Sequence, residues 1–512
     1  MDQTRPRETA AHTTDLDAFL AEFRQVLHRV FRQPPEPERM HLVRGLPPSE
    51  LRAILARRPL SVFIPSAYGG RGEKVHEGLA VLEAAAYESL ALSLTIGING
   101  ALFLQPLSKY GREEIKGEIF TRFLEHQNMG GLMMTEPDYG SDALSMETAY
   151  VPEADGYRIR GTKHWAGLTG LADYWLMTAR ARGEDGQLTR DVGFFVCDAH
   201  RPPQQVQVEE RFENLGLYLI PYGRNRVDVW VPEAQRLQPD RTGVKMMLDM
   251  LHRSRIQFPG MGLGFLRRMA DEALTHVRER YVGGRSLLGY DQVQRRVAHL
   301  QASVTAAAAM CVHAAETAHV GADLSKESVT ANATKAVLTD MMHDASQSLL
   351  QLVGAKGYRL DHIAGRATVD SRPFQIFEGS NDILYEQLAE AVLKQMRRAK
   401  QTNLGAFLRG FEPASRAAEH LGDVLDVRIE PDMIQRNVVD FGRVLGRVIT
   451  MEFVIEFGDR GYRNDLVSNC LETMRSEVLG LFSVFRADGR ASVVEEEVPA
   501  GAWLAGVNAE PS

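Results

Sequence analysis

GYRIRGTKHWAGLTGLADYWLMTARA (residues 156–181) is the stretch where the texture of the chain changes. It holds two short runs of β-branched and aromatic residues separated by turn residues, the pattern of successive strands. DVGFFVCD (191–198) and NRVDVWVP (225–232) repeat that pattern. Residues 131–245 are therefore expected to form a small antiparallel β barrel or sandwich. Outward from this block the apolar spacing becomes helical. Leu16, Phe19, Leu20, Phe23, Val26, Leu27 and Val30 lie on one helical face, and the helical texture covers 15–130, broken by the Gly-rich PSAYGGRGE (65–73). Residues 246–400 return to helices. Runs such as Gly264–Arg280 and Gln292–Ala322 are too rich in Ala, Leu and Met to be exposed on all sides, so a four-helix bundle is the simplest packing. A further helical block fills 401–500, with amphipathic stretches at Val438–Phe457 and Asp465–Phe485. The expected fold is mostly α with a central β domain.

The composition narrows the function classes. With 512 residues, 44% hydrophobic and 25% charged, the chain can bury a large core in several domains. A net charge of −8 argues against a binder of nucleic-acid backbone, which needs a basic face. Cys197, Cys311 and Cys470 are too few and too scattered for a disulfide framework or a metal site, which points to a reducing compartment. The N-terminal MDQTRPRETAAHTTDLD has no apolar run like a leader, and no stretch is expected to span a membrane. The expectation is a cytoplasmic protein. No strand-GxGxxG-helix unit occurs, so a nucleotide would bind elsewhere than in a Rossmann crevice.

Four segments carry candidate chemistry. MMTEPDYGSD (133–142) turns at Pro137 and Gly140, leaving Thr135, Ser141 and local N–H groups in a loop; alone it also reads as a plain turn. GTKHWAGLTGLADYW (161–175) sets Trp165 among small residues, as a flat wall for a planar ring or as a core side chain. HRSRIQ (252–257) precedes RERYVGGRSLLGYDQVQ (278–294), where Arg280, Arg285, Gln292 and Gln294 surround a Gly-Gly break able to hold a pyrophosphate, or simply face solvent. QLVGAKGY (351–358) leads to FQIFEGSNDI (374–383). There Glu378 follows Ile376 and Phe377. An apolar setting raises a carboxyl pKa and suits it to take a proton from carbon; a place beside a helix start is the alternative. Ser380 is expected to N-cap the next helix.

In this order the segments resemble the acyl-CoA dehydrogenase family, across about residues 15–400. MTEPDYGSD is similar to its flavin and thioester loop, GTKHW to its second flavin segment, QLVGAKGY to the loop reaching the FAD of a neighbouring subunit, and IFEGSNDI to its catalytic-base motif. IPSAYGGRG (64–72) fits its N-terminal domain. The resemblance implies bound FAD and an acyl thioester substrate, CoA or carrier-protein linked. It implies that Glu378 removes the α-proton while the β-hydrogen leaves as hydride to flavin N5, and that the Glu378 N–H polarises the thioester carbonyl. By the same carry-over Met134, Thr135, Trp165 and Gly167 line the flavin. Arg280, Gln292, Gln351 and Gly354 hold the FAD of an adjacent subunit, and Ser380 and Asp382 lie near it. Ser141, Arg255 and Gly379 lie along the substrate. An electron-transfer flavoprotein is the implied acceptor, and a homodimer or homotetramer the implied assembly.

The chain departs from the family pattern at several places. Ala355 stands where a second glycine is usual. Ala166 and Gly167 replace a pair whose hydroxyl contacts flavin N5, leaving Thr169 or a backbone N–H for that contact, and Asp382 replaces a Glu or Gln. The segment after Arg280 carries Gly283-Gly284 and is one residue longer than in the family. The roomier flavin edge keeps an oxidase or monooxygenase reading open, and the fold also has a DNA-associated non-catalytic branch. The block beyond 400, with Glu495, Glu496 and Glu497, is expected to add packing or a dimer contact rather than a membrane anchor. If Arg280 holds the cofactor pyrophosphate, Arg280→Ala lowers the FAD content of the purified protein, read from its absorption spectrum; an unchanged content would remove Arg280 from that role.

Overall fold

Helix α1 (Leu16–Arg32) shows how the apolar stripes are used. Its buried residues are Leu20, Phe23, Val26, Leu27, Val30 and Phe31, one face of a 3.6-residue period. In the computed structural model, which describes residues 15–33, 40–200, 205–430, 432–486, 493–496 and 498–507, that face joins one hydrophobic core running through most of the chain. The N-terminal segment before Asp15, read above as having no leader-like apolar run, lies outside this description, as does Glu497.

The N-terminal helices continue with α2 (Pro48–Leu55), α3 (Val75–Glu88), α4 (Leu90–Asn99), α5 (Gln105–Tyr110) and α6 (Glu113–Glu125), with a π-helical turn at Gly100–Leu104 between α4 and α5. The stretch Leu90–Tyr110 has the length and apolar character of a membrane span, as does Asp291–Thr317. Both are apolar because they pack inside the protein: 94% of the first apolar window is buried, and half of the second.

Seven strands follow: β1 (Gly130–Met133), β2 (Ala149–Glu153), β3 (Gly156–Gly167), β4 (Tyr174–Arg182), β5 (Leu188–Asp198), β6 (Gln205–Arg211) and β7 (Tyr222–Pro232). They form one sheet in the order β1-β4-β2-β3-β7-β6, with β5 also on β4. The sheet is mixed rather than wholly antiparallel. β1 and β2 both run parallel to β4, while β2–β3, β3–β7, β4–β5 and β6–β7 are antiparallel. Between β1 and β4 the chain runs through the β2–β3 pair, and parallel neighbours need a connection longer than a hairpin turn.

The C-terminal helices are α7 (Gly243–Glu279), α8 (Asp291–Thr317), α9 (Ser328–Val353), α10 (Ile363–Ser371) and α11 (Asn381–Arg398). α7 packs on α3, α8 and α9, and α9 on α10 and α11. The Gly-Gly break after α7 is a two-residue hairpin, with Gly283 at φ +57° and Gly284 at φ +82° between Tyr281-Val282 and Arg285-Ser286. Only residues without a Cβ adopt such a turn cheaply.

Beyond α11 come the short α12 (Leu404–Leu408) and α13 (Ser415–Leu421), then α14 (Gln435–Asp459) and α15 (Asn464–Phe485). α14 lies on α11, α9 and α8, and α15 on α14 and α8. The approach of α14 to α11 depends on Gly442, where a Cβ would sit 2.0 Å from the Tyr385 carbonyl oxygen. Gly442→Ala must therefore lift α14 off α11. It is expected to cost about 1–3 kcal/mol and to lower the thermal midpoint; an unchanged midpoint would mean the contact is not tight.

Candidate active site

Glu378 stands just before α11, and its conformation is the least comfortable one nearby. Its backbone is left-handed at φ +53°, which costs a non-glycine residue about 1–2 kcal/mol. Gly379 follows at φ +90°. The bend persists because three groups hold it. Arg255 on α7 donates from Nε to the Glu378 carbonyl oxygen at 3.0 Å and from Nη1 to Asn332 Oδ1 at 2.8 Å. Lys335 on α9 donates from Nζ to the next carbonyl, Gly379 O, at 2.8 Å and to Asn381 Oδ1 at 3.0 Å. Ser254 donates its hydroxyl to Glu378 Oε1 at 2.9 Å. The other oxygen, Oε2, is buried and unpartnered, an uncommon state for a carboxylate and one that leaves an acceptor ready for a proton.

Burial pushes the Glu378 carboxyl above its ordinary pKa, opposed by the charges of Arg255 and Lys335 and the bond from Ser254. Burial also pulls Lys335 down to about 7, against the pull of Glu378. The apolar setting is not the one the local sequence indicates. Ile376 is 56% exposed. Phe377 instead stacks on Phe374 and on Phe258 of α7, and the depth of the site comes from α7 and α9. Ser380 occupies the N-cap of α11 in an extended conformation but its side chain makes no capping bond, so that expectation is corrected. Asp382, in the first turn, pairs with Arg443 of α14 at 2.9 Å.

The two segments of the β domain are tied to each other by a buried ion pair. Lys163 Nζ donates to Glu136 Oε1 at 2.8 Å, Met134 O at 3.2 Å and Thr178 Oγ1 at 3.1 Å. Glu136 in turn accepts from the N–H groups of Glu147 and Thr148. Burial drives Lys163 down to about 8, still charged at neutral pH. For Glu136, burial alone would raise the carboxyl, but Lys163 and the hydrogen bonds outweigh it and hold it low. The backbone completes the tie: His164 N–H donates to Thr135 O at 2.8 Å.

Trp165 follows at a register shift between β3 and β7, left-handed at φ +54° and 52% exposed. It is not a core tryptophan. Phe212 packs against it at 4.6 Å, His164 and Tyr222 lie about 6 Å away, and about half of its surface stays exposed. Gly167 is buried, and the room beside it is already filled: a Cβ there would meet Ile98 Cδ1 of α4 at 2.9 Å and Tyr222 at 3.3 Å. Thr169 is not available as a hydroxyl donor to a ligand, because it is fully buried, donates to Ala166 O and accepts from Asn225. Leu94, Ile96 and Ile98 are buried on α4, which leans on Gly167 at one side and on Met261 of α7 at the other. Helix α4 thus links the β-domain segments to the helices that carry Glu378.

Met134 and Thr135 are half-buried at the end of β1, and Ser141 is exposed in the loop beyond. Arg280, Gln292, Gln351 and Gly354 are all exposed on the outer ends of α7, α8 and α9. Arg285 stacks on Tyr290 and Gln294 bonds to Leu288 O, so both serve the hairpin locally. The residues that sequence reading missed are Ser254, Asn332, Lys335, Glu136 and Lys163. Lys335 did leave a signal. It lies on the stripe Ala331, Lys335, Leu338 and Met342 of α9, all of which are buried, where a lysine needs a partner.

Comparison with known proteins adds an independent line. Three family models match consecutive parts of the chain: acyl-CoA dehydrogenase N-terminal domain (residues 13–127), middle domain (131–228) and C-terminal domain (241–393). An acyl-CoA dehydrogenase of Bacillus subtilis (strain 168) is 25% identical over 329 residues, 63% of this chain and 84% of that protein. The butyryl-CoA dehydrogenase structure from Megasphaera elsdenii superposes with a TM-score of 0.68 at 20% identity, covering 77% of this chain and all of that one. An acyl-CoA dehydrogenase complexed with FAD from Bacillus anthracis gives a TM-score of 0.74 at 16% identity, over 93% of this chain and 88% of that one. At these identities the two structures establish the shared fold.

The buried pair makes a prediction that needs no ligand. Lys163→Met strands Glu136 and is expected to cost about 3–5 kcal/mol, read from denaturant unfolding. The double variant with Glu136→Gln recovers part of it; a loss in the double variant equal to the sum of the Lys163→Met and Glu136→Gln losses would mean that the two residues do not interact.

Proposed function

Since the chain belongs to the acyl-CoA dehydrogenase family, we propose that it desaturates an acyl thioester between its α and β carbons, with Glu378 as the base. It is an FAD-dependent oxidoreductase acting on the CH–CH bond of acyl-CoA. The observation that carries the finer reading is the unpartnered, buried Oε2 of Glu378.

The residues fit the cofactor. Trp165 offers a half-exposed indole beside the loop of Met134 and Thr135, which suits a planar ring system. The exposed Arg280, Gln292, Gln351 and Gly354 suit a cofactor bound in a second copy of the chain. When bound, FAD supplies the oxidant, its N5 accepting the β-hydrogen as hydride.

Glu378 takes the α-proton onto Oε2 while Ser254 holds Oε1. The electron pair left on the α carbon forms the new double bond as the β-hydrogen departs with its own pair. The α carbon is a very weak acid, and the backbone group proposed to polarise the thioester carbonyl is the N–H of Glu378. Its position is set by the bonds of Arg255 and Lys335 to the two following carbonyls. Ile98 and Tyr222 fill the space beside Gly167, which favours dehydrogenation over oxygen use at that edge. An electron-transfer flavoprotein is the proposed acceptor, and CoA or a carrier protein the thioester carrier.

Anaerobic addition of an acyl-CoA panel to the FAD-loaded protein is expected to bleach the flavin with one chain class. Glu378→Gln is expected to keep FAD but lose roughly a hundred- to ten-thousand-fold in rate; near-normal turnover would end the base assignment. Because the carboxylate is the active form and its pKa is raised, kcat/KM falls as pH drops through a limb above the ordinary carboxylate value.

A further inference from the structure

The clamp on Glu378 does not stop at Lys335. Asn381 Oδ1 accepts from Lys335, and Asn381 Nδ2 donates to Asp340 Oδ1 at 2.7 Å. Asp340 also accepts from Gln375 Nε2 at 2.8 Å, and its Oδ2 accepts the hydroxyl of Tyr385 at 2.7 Å. Tyr385, 1% exposed, accepts from Arg447 Nη1 of α14 at 3.2 Å, and Arg447 Nε donates to Glu477 Oε2 of α15 at 2.9 Å. The hydrogen bonds therefore run without a gap from the helices beyond residue 400 to the carbonyl of Gly379.

The charges have the same layout. Asp340 lies between Lys335, on the side of the Glu378 loop, and Arg447, on the side of α14, and interacts with both. Arg447 is 11% exposed and Lys335 1% or less. Asp340 is half-buried, and a carboxylate drawn away from water in this way is favoured by counter-charge as well as by hydrogen-bond donors; α14 supplies part of that charge through Arg447. The docking is close, since α14 meets α11 at Gly442 and Arg443 pairs with Asp382 in the same first turn as Asn381.

We propose that Arg447 is a positioning residue for Glu378, acting through Tyr385, Asp340, Asn381 and Lys335, so that the C-terminal helices form part of the support of the catalytic loop. This rests on the reading of Glu378 as base. Removing Arg447 leaves Asp340 with Lys335 as its nearest cation. Lys335 then turns from Gly379 O towards Asp340, and the left-handed bend at Glu378 loses one of its holders.

The test uses the full-length FAD-loaded protein. Arg447→Met is compared with Arg447→Lys, with the milder Glu477→Gln, and with Arg460→Ala, which cuts the surface pair to Glu316. Amide hydrogen exchange of the peptide 374–384 and steady-state kinetics per bound flavin, with butyryl-, octanoyl-, palmitoyl- and isovaleryl-CoA as probes, are the readouts. Arg447→Met is expected to speed exchange at 374–384 and to lower kcat, each about tenfold, with KM nearly unchanged. Glu477→Gln gives a smaller change of the same kind, Arg447→Lys restores most of the loss, and Arg460→Ala changes neither readout. Wild-type exchange and wild-type kcat per flavin in Arg447→Met and Glu477→Gln, with only a lower melting temperature, would overturn the proposal. Glu378→Gln run alongside keeps the two claims apart: if it stays active the base assignment fails, while the exchange data still decide the link from Arg447.

Discussion

Two buried cations hold two successive backbone carbonyls. Arg255 takes that of Glu378 and Lys335 that of Gly379, and between them they impose a bend that the local chain would not adopt alone. Each cation stands on a different long helix, α7 or α9, so the bend exists only when those helices are packed side by side. The stability of the helical domain is in this sense the source of the strain at Glu378. Large apolar helices do the ordinary work of burial and also fix one carboxylate with a free oxygen.

The same device recurs in the β domain. Lys163 and Glu136 are buried, oppositely charged, and bonded to backbone groups of the segments on both sides. A pair of this kind adds little net stability compared with apolar packing, but its geometry is specific. It sets the loop that carries Met134 and Thr135 beside the strand that carries Trp165, and leaves the indole turned outward. Ile98 of α4 fills the space next to Gly167, so the β domain and the helices that bear Glu378 share a single wall.

The helices beyond residue 400 extend the polar interior rather than merely covering it. Apolar packing at Phe441, Leu445 and Val448 brings α14 down on the bundle. The charges of Arg443 and Arg447 then reach the start of α11 from its outer side. The Glu378 loop is thus backed on its inner side by Arg255 and Lys335 and, farther out, by Arg447 of α14.

What the amino-acid sequence determined by itself follows from short-range patterning. The change of apolar period marked helices, strands and helices in order, and local motifs with characteristic spacing pointed to Glu378, Trp165 and the Thr135 loop as candidates. Such features are legible because they depend on neighbours within a few residues. The parallel pairing of β1 and β2 with β4 was not legible, since strand direction is decided by crossovers through space. The same limit applied to Ser380, whose expected cap bond does not form, and to Thr169, whose hydroxyl is used inside the sheet. Above all, the partners of Glu378 come from residues 254, 255 and 335, and the partners of those from residues 340, 385 and 447. Only tertiary packing decided which buried charges meet, because the cost of burying each one is repaid by a group far away in the chain.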